Sequence, residues 1–149
     1  MFGWFKKKKS PINNLFDTLD MESINAMSSA AKVLSLPLVL SENQKNYNTN
    51  LRSKFVRGYI FGFFDAATQK LGLPHKSEID AMARIIAGHS FLLDHRGIDS
   101  IQYVRDSINL QDDPTYKAAH QKGVDELYEC FSMENSRPYS LMKYFIDQE

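Results

Sequence analysis

The chain has a single cysteine, Cys130, so it can form no internal disulfide framework, and this usage suits a reducing compartment. Cys130 sits in LYECF between Leu127 and Phe131 with no neighbouring base, which reads as a packed core thiol and not a nucleophile. Net charge is missing as well. Eighteen Lys and Arg balance eighteen Asp and Glu, which argues against a dedicated nucleic-acid binder. The most apolar stretch, RGYIFGFFDAATQKLGLP from Arg57 to Pro74, is broken at Asp65, well short of the about 20 residues a bilayer requires. No ExxH, HExxH, P-loop, GxSxG or strand-linked GxGxxG occurs, which excludes the usual di-iron, zinc-protease, nucleotide-binding and serine-hydrolase signatures. No repeat, no long Gly, Ser or Pro linker and no convincing strand pair is present, so the expectation is all-α.

The expected architecture is a single compact bundle of about six or seven helices over 10–149, preceded by a basic aromatic arm over 1–9. Ser10 and Pro11 open a first short helix carrying Ile12, Leu15, Phe16 and Leu19 on one face. Asp20 caps a second, with Met21, Ile24, Met27, Ala31 and Leu34 inward, until Leu36 and Pro37 stop it. LPLVL after it reads as an extended, packed connector.

Ser41 and Gln44 resemble a capping box for a long central helix, roughly 48–71, which Gly72 and Pro74 end. Its apolar residues, from Leu51 through Phe63 and Phe64 to Leu71, sweep an arc wide enough to be touched on more than one side. Gly58, Gly62 and Ala66 form a smooth ridge expected to pack on Ala83, Ala87 and Ser90 of the next helix. That helix starts at Ser77 and presents Ile79, Met82, Ile86 and Leu93. A shorter one follows with Ile101, Val104 and Ile108. Asp113 and Pro114 start another with Ala118, Val124, Leu127 and Phe131, and the last runs from about Pro138 with Leu141, Met142 and Phe145.

Candidate chemistry is sparse. His89 and His95 in HSFLLDH are six apart, which puts them on different helix faces, so His89 reads as a core residue and no metal or cofactor is expected. His75 and His120 have no evident partner and read as surface residues. Glu126 and Glu129 share one face and read as solvated, which leaves no catalytic group to name. Asp65, rooted in an apolar helix, would need a cation or donor if buried; Arg84 or His89 could supply one. A pocket among Phe64, Asp65, Met82, His89 and Tyr103 would make the chain a small-ligand or metal binder.

Charge patterning offers two other surfaces. Lys6, Lys7, Lys8 and Lys9 follow Phe2, Trp4 and Phe5, a composition suited to weak contact with an anionic membrane surface or to folding back on the domain. This segment is expected not to act as a secretory signal, because its charges follow its apolar patch, and the expected location is cytoplasmic. Lys45, Arg52, Lys54 and Arg57 form a second basic cluster, with Phe61 on the same polar side, and could meet an acidic partner or a phosphate. From Asp94 onward 11 acids face 6 bases, a net of −5 that suits a basic partner. The leading expectation is a protein-binding or regulatory module and not an enzyme; its oligomeric state is not legible.

Overall fold

The computed structural model describes residues 17, 19–70, 78–133 and 136–149. The basic aromatic arm, the first short helix, the Gly72–Pro74 stop, His75 and the Ser77 cap therefore lie outside the described residues. Among the described residues the protein is an all-α bundle of seven helices with no strand. They are α1 Met21–Ser41, α2 Tyr47–Leu51, α3 Lys54–Lys70, α4 Glu78–Leu93, α5 Ser100–Ile108, α6 Pro114–Ser132 and α7 Tyr139–Asp147, with a 3-10 turn at Asp94–Arg96.

Side-chain caps set several starts. Asp20 accepts from Ser23 N at 2.7 Å and Asp99 from Gln102 N at 3.1 Å. Asp113, one residue before Pro114, accepts from Thr115 N at 2.9 Å and Tyr116 N at 3.2 Å. Gly97 closes the 3-10 turn in the left-handed region at φ 76°, where a side chain would be strained.

Three local expectations fail for identifiable reasons. Pro37 does not end α1: the helix runs through it to Ser41, and LPLVL is helical. An interior proline costs about 3 kcal/mol through its missing N–H. Burying Leu34 and Leu38 completely on either side of it offsets that cost. The Ser41–Gln44 pair does not start a helix; Gln44 instead donates its side-chain amide to Phe145 O at 3.0 Å. The long central helix is also split, because α2 ends at Leu51 and Ser53 Oγ accepts from Val56 N at 3.3 Å to begin α3 afresh.

The centre of the bundle is α3 against α6. A Cβ built on Gly58 would lie 2.4 Å from Tyr116 O, and one on Gly62 would lie 2.1 Å from His120 O. Gly123 answers from the other side, its Cβ position 2.2 Å from Tyr59 O. The matched order, 58 to 116 and 62 to 120, makes the two helices parallel, with their backbones in contact at the notches. The ridge therefore exists but faces α6, not Ala83, Ala87 and Ser90 of α4. A short loop made α4 the nearer neighbour in sequence, yet only α6 carries a glycine that reciprocates. The α4 glycine, Gly88, instead makes room for the Phe64 ring.

Helices α1 and α4 also run parallel. Arg84 Nε donates to Ser23 Oγ at 3.1 Å and Arg96 Nη2 to Ser35 Oγ at 3.2 Å, the same register at both ends. On these helices Met27, Ala30, Leu34 and Leu93 are buried, whereas Met21 and Ile79 are exposed, contrary to the inward positions assigned them. On α6, Ala119 and not Ala118 turns inward.

His89 is fully buried on α4. Its Nδ1 lies 2.8 Å from Ile85 O, and its Nε2 has no partner. Burial lowers its pKa to about 4; the Ile85 carbonyl opposes this and the Arg57 charge adds to it. An unfolded His89 titrates near 6.5, so its neutral burial gives its full stability above that pH, and the contribution is lost as pH falls towards 4. The expected loss is roughly 3 kcal/mol across that window. Melting curves of wild type and His89→Leu at a series of pH values check it: the wild type loses stability between pH 6.5 and 4, and the variant lacks that component.

Candidate functional site

The sequence-derived candidates part company in the structure. Phe64 and His89 are fully buried with ring centroids 5.1 Å apart, and His89 lies 5.8 Å from the Tyr103 ring, so packed side chains fill the expected pocket. Met82 is half-buried. Asp65 turns to α6, where its Oδ2 lies 3.5 Å from His120 Nε2; neither Arg84 nor His89 supplies its partner. His120 is accordingly not a bare surface residue. Its ring lies 6.1 Å from Phe61 and 6.3 Å from Tyr116.

The basic cluster also disperses. Arg57 is buried, not exposed: its guanidinium donates to Arg52 O at 2.9 Å, Tyr103 O at 2.9 Å and Ser107 Oγ at 3.3 Å, and it lies 4.3 Å from the Tyr103 ring centroid. Lys54 is taken by Asp113 at 2.8 Å, a contact that holds the Asp113 carboxyl below its ordinary pKa. Arg52 donates to Asn48 O at 3.2 Å, and Lys45 stands exposed on the α1–α2 loop. Phe61 is half-buried between two imidazoles and is not a free aromatic.

Among the described residues no group of three or more His, Cys, Asp or Glu is placed to hold a metal. Burial, with Glu126 and Glu129 nearby, pushes the Cys130 thiol up to about 11, so it is not a thiolate at neutral pH. Glu126 is buried and not solvated. Its carboxylate accepts from Tyr59 Oη at 2.7 Å, from Ser140 N at 2.8 Å and from Ser140 Oγ. It caps the first turn of α7, which has no side-chain cap of its own.

Among the described residues, two helices also carry exposed apolar stripes. Leu36, Val39 and Leu40 project outward from the last turns of α1, opposite the buried Leu34 and Leu38. Tyr139 and Ile146 project from α7, opposite the buried Leu141 and Phe145, and the half-buried Met142 lies between them in sequence. Leu40 is 66% exposed, Ile146 61% and Tyr139 60%. Pro37, Leu40, Ser41 and Gln44 face Met142 and Ile146 across a groove of about 140 Å³. A shallower depression of about 330 Å³ on Tyr139, Ser140, Met142, Lys143 and Ile146 adjoins it through Met142 and Ile146.

Comparison with protein families, curated proteins and solved structures finds no match. The groove must therefore be argued from its own construction. Gln44 donates both to Phe145 O and, at 3.3 Å, to Glu149 Oε1, which pins the end of α7 to the α1–α2 loop. Tyr144 stacks on Phe55 at 4.8 Å and Phe145 lies 5.9 Å from Tyr47, so α7 is clamped along its inner face. The outer stripe is thereby held in place and stands uncovered by the described residues.

By length and composition α1 is long and apolar enough to cross a membrane. In the fold its inner stripe is buried within the bundle, and Glu22 and Lys32 interrupt its outer face. The sequence did contain the groove. Leu36, Val39 and Leu40 stand at i, i+3, i+4, and Tyr139, Met142 and Ile146 at i, i+3, i+7, each offset from an inner stripe. Reading Pro37 as a stop concealed the first of these.

Proposed function

We propose that the chain is a protein-binding module that seats an amphipathic helix of a partner protein in the groove between α1 and α7. The observation that carries this reading is the pair of outward apolar stripes at helical spacing on two helices whose inner faces are already filled. Such a groove offers anchor sites at the i, i+3 and i+7 periodicity of an incoming helix. Glu149 lines one end of the groove, while the nearby acids Glu42 and Asp147 are engaged by Arg96 at 3.9 Å and Lys143 at 2.7 Å. A partner helix flanked by Lys or Arg complements Glu149 at that end.

A photo-crosslinking amino acid placed at Met142 in the native cell tests the proposal. The expected product joins Met142 to a different polypeptide, at a segment with apolar residues in helical spacing and basic flanks. Leu40→Glu combined with Ile146→Glu lowers the affinity of that segment at least about tenfold. Both positions are solvent-exposed, so melting is unchanged. Crosslinks confined to lipid, to a second copy or to this chain's own arm would contradict it.

A further inference from the structure

A second concavity lies on the opposite chemistry, between α3, α5 and α6, and shares no residue with the groove. Phe61 of α3, Ile108 at the end of α5, Gln111 in the following turn, and Tyr116, Lys117 and His120 of α6 line a cleft of about 230 Å³. This volume exceeds the about 150 Å³ cavity that accommodates benzene and falls below the about 300 Å³ where drug-sized pockets begin. It is the size for one ring and a small substituent.

Three of its six lining residues carry rings, with polar groups between them. Phe61 and Tyr116 flank the His120 imidazole, and the Asp65 carboxylate fixes His120 from the α3 side. Tyr116 is only 4% exposed, yet no hydrogen bond among the described residues uses its hydroxyl. This hydroxyl is not one of the buried polar atoms left without a partner; it keeps contact with solvent, and Tyr116 lines the cleft, so the hydroxyl is open to a ligand as a donor. Burial, with the Asp65 charge, raises its pKa to about 12, so it keeps its proton. Lys117 is exposed at the mouth and makes no ion pair among the described residues. The nearest acid at the start of α6, Asp113, is already engaged by Lys54 and two backbone amides. The groups of the cleft open to a ligand are thus a cation and a hydroxyl donor beside flat rings.

We propose that this cleft binds a small one-ring aromatic carboxylate, its ring against Phe61 and His120 and its carboxylate held by the Lys117 ammonium and the Tyr116 hydroxyl. The Asp65–His120 pair orients the imidazole as a wall and performs no chemistry on the ligand.

Titration of the full chain with benzoate, benzamide and benzylamine, followed by amide and aromatic NMR shifts, tests the assignment. Benzoate is expected to saturate at millimolar concentration, with shifts centred on Phe61, Tyr116 and His120. Benzamide binds more weakly and benzylamine not at all. Lys117→Gln, at an exposed position, weakens benzoate about tenfold and leaves benzamide unchanged. Tyr116→Phe preserves the ring and weakens benzoate several-fold. Benzylamine binding as well as benzoate, shifts centred elsewhere, or no saturation with benzoate would each overturn the proposal.

Discussion

Gly62→Ala is expected to melt at least about 12 °C below the wild type, a loss of about 4 kcal/mol at about 3 °C per kcal/mol for a chain of this size. Helix propensity alone gives the opposite sign, because alanine in a helix interior is favoured over glycine by about 1 kcal/mol. The packing decides the outcome. The new Cβ would stand 2.1 Å from His120 O and 2.8 Å from His120 C, and these are backbone atoms that no rotamer change can remove. Either α3 and α6 separate along their length or one helix bends, and both routes uncover Tyr59, Phe63 and Ala119, which are fully buried. Gly123→Ala acts on the same contact from α6, 2.2 Å from Tyr59 O, so the two losses combine less than additively.

Glu126→Leu is the second large effect, expected at about 3–5 kcal/mol. The substitution keeps bulk in the core but removes the acceptor of Tyr59 Oη and of the α7 groups Ser140 N and Ser140 Oγ. The buried Tyr59 hydroxyl left unpaired costs about 1–3 kcal/mol, and the part-buried Ser140 groups at the first turn of α7 lose their acceptor as well. The consequence is local before it is global. Chymotrypsin is expected to cut the variant at Tyr139 under conditions where the wild type resists, and melting shifts in parallel. Glu126→Gln retains one oxygen acceptor and is expected to cost about 1 kcal/mol. Because α7 forms one wall of the groove, Glu126→Leu also weakens partner binding without touching a groove residue.

How far the sequence announced all this depends on the kind of signal each element carries. The caps at Asp20 and Asp113–Pro114 were legible, since capping is a contact between residues two or three apart. That Gly58 and Gly62 form a contact ridge was legible too, because a four-residue spacing fixes a shared face. Its partner was not: the reciprocating Gly123 lies far along the chain, and only the assembled bundle brings it to Tyr59. Pro37 misled because propensity is a local prior that burial of Leu34 and Leu38 overrides.

The charged residues were least legible. Arg57 looked solvated because the three oxygens that satisfy it come from its own chain bend and from α5. Glu126 looked solvated because two of its donors lie beyond the α6–α7 turn. His120 looked bare until α3 placed Asp65 and Phe61 beside it. In each case the environment that changes the residue's role is tertiary, and a single sequence records only the residue.

Both surfaces, the α1–α7 groove and the Phe61 cleft, depend on α3 and α6 touching backbone to backbone at their glycine notches. Thermal unfolding of Gly62→Ala and Gly123→Ala in detergent-free buffer measures that contact directly. A large fall in melting temperature for both, against the helix-propensity trend, is the predicted result. Two variants as stable as the wild type, or more so, would contradict it.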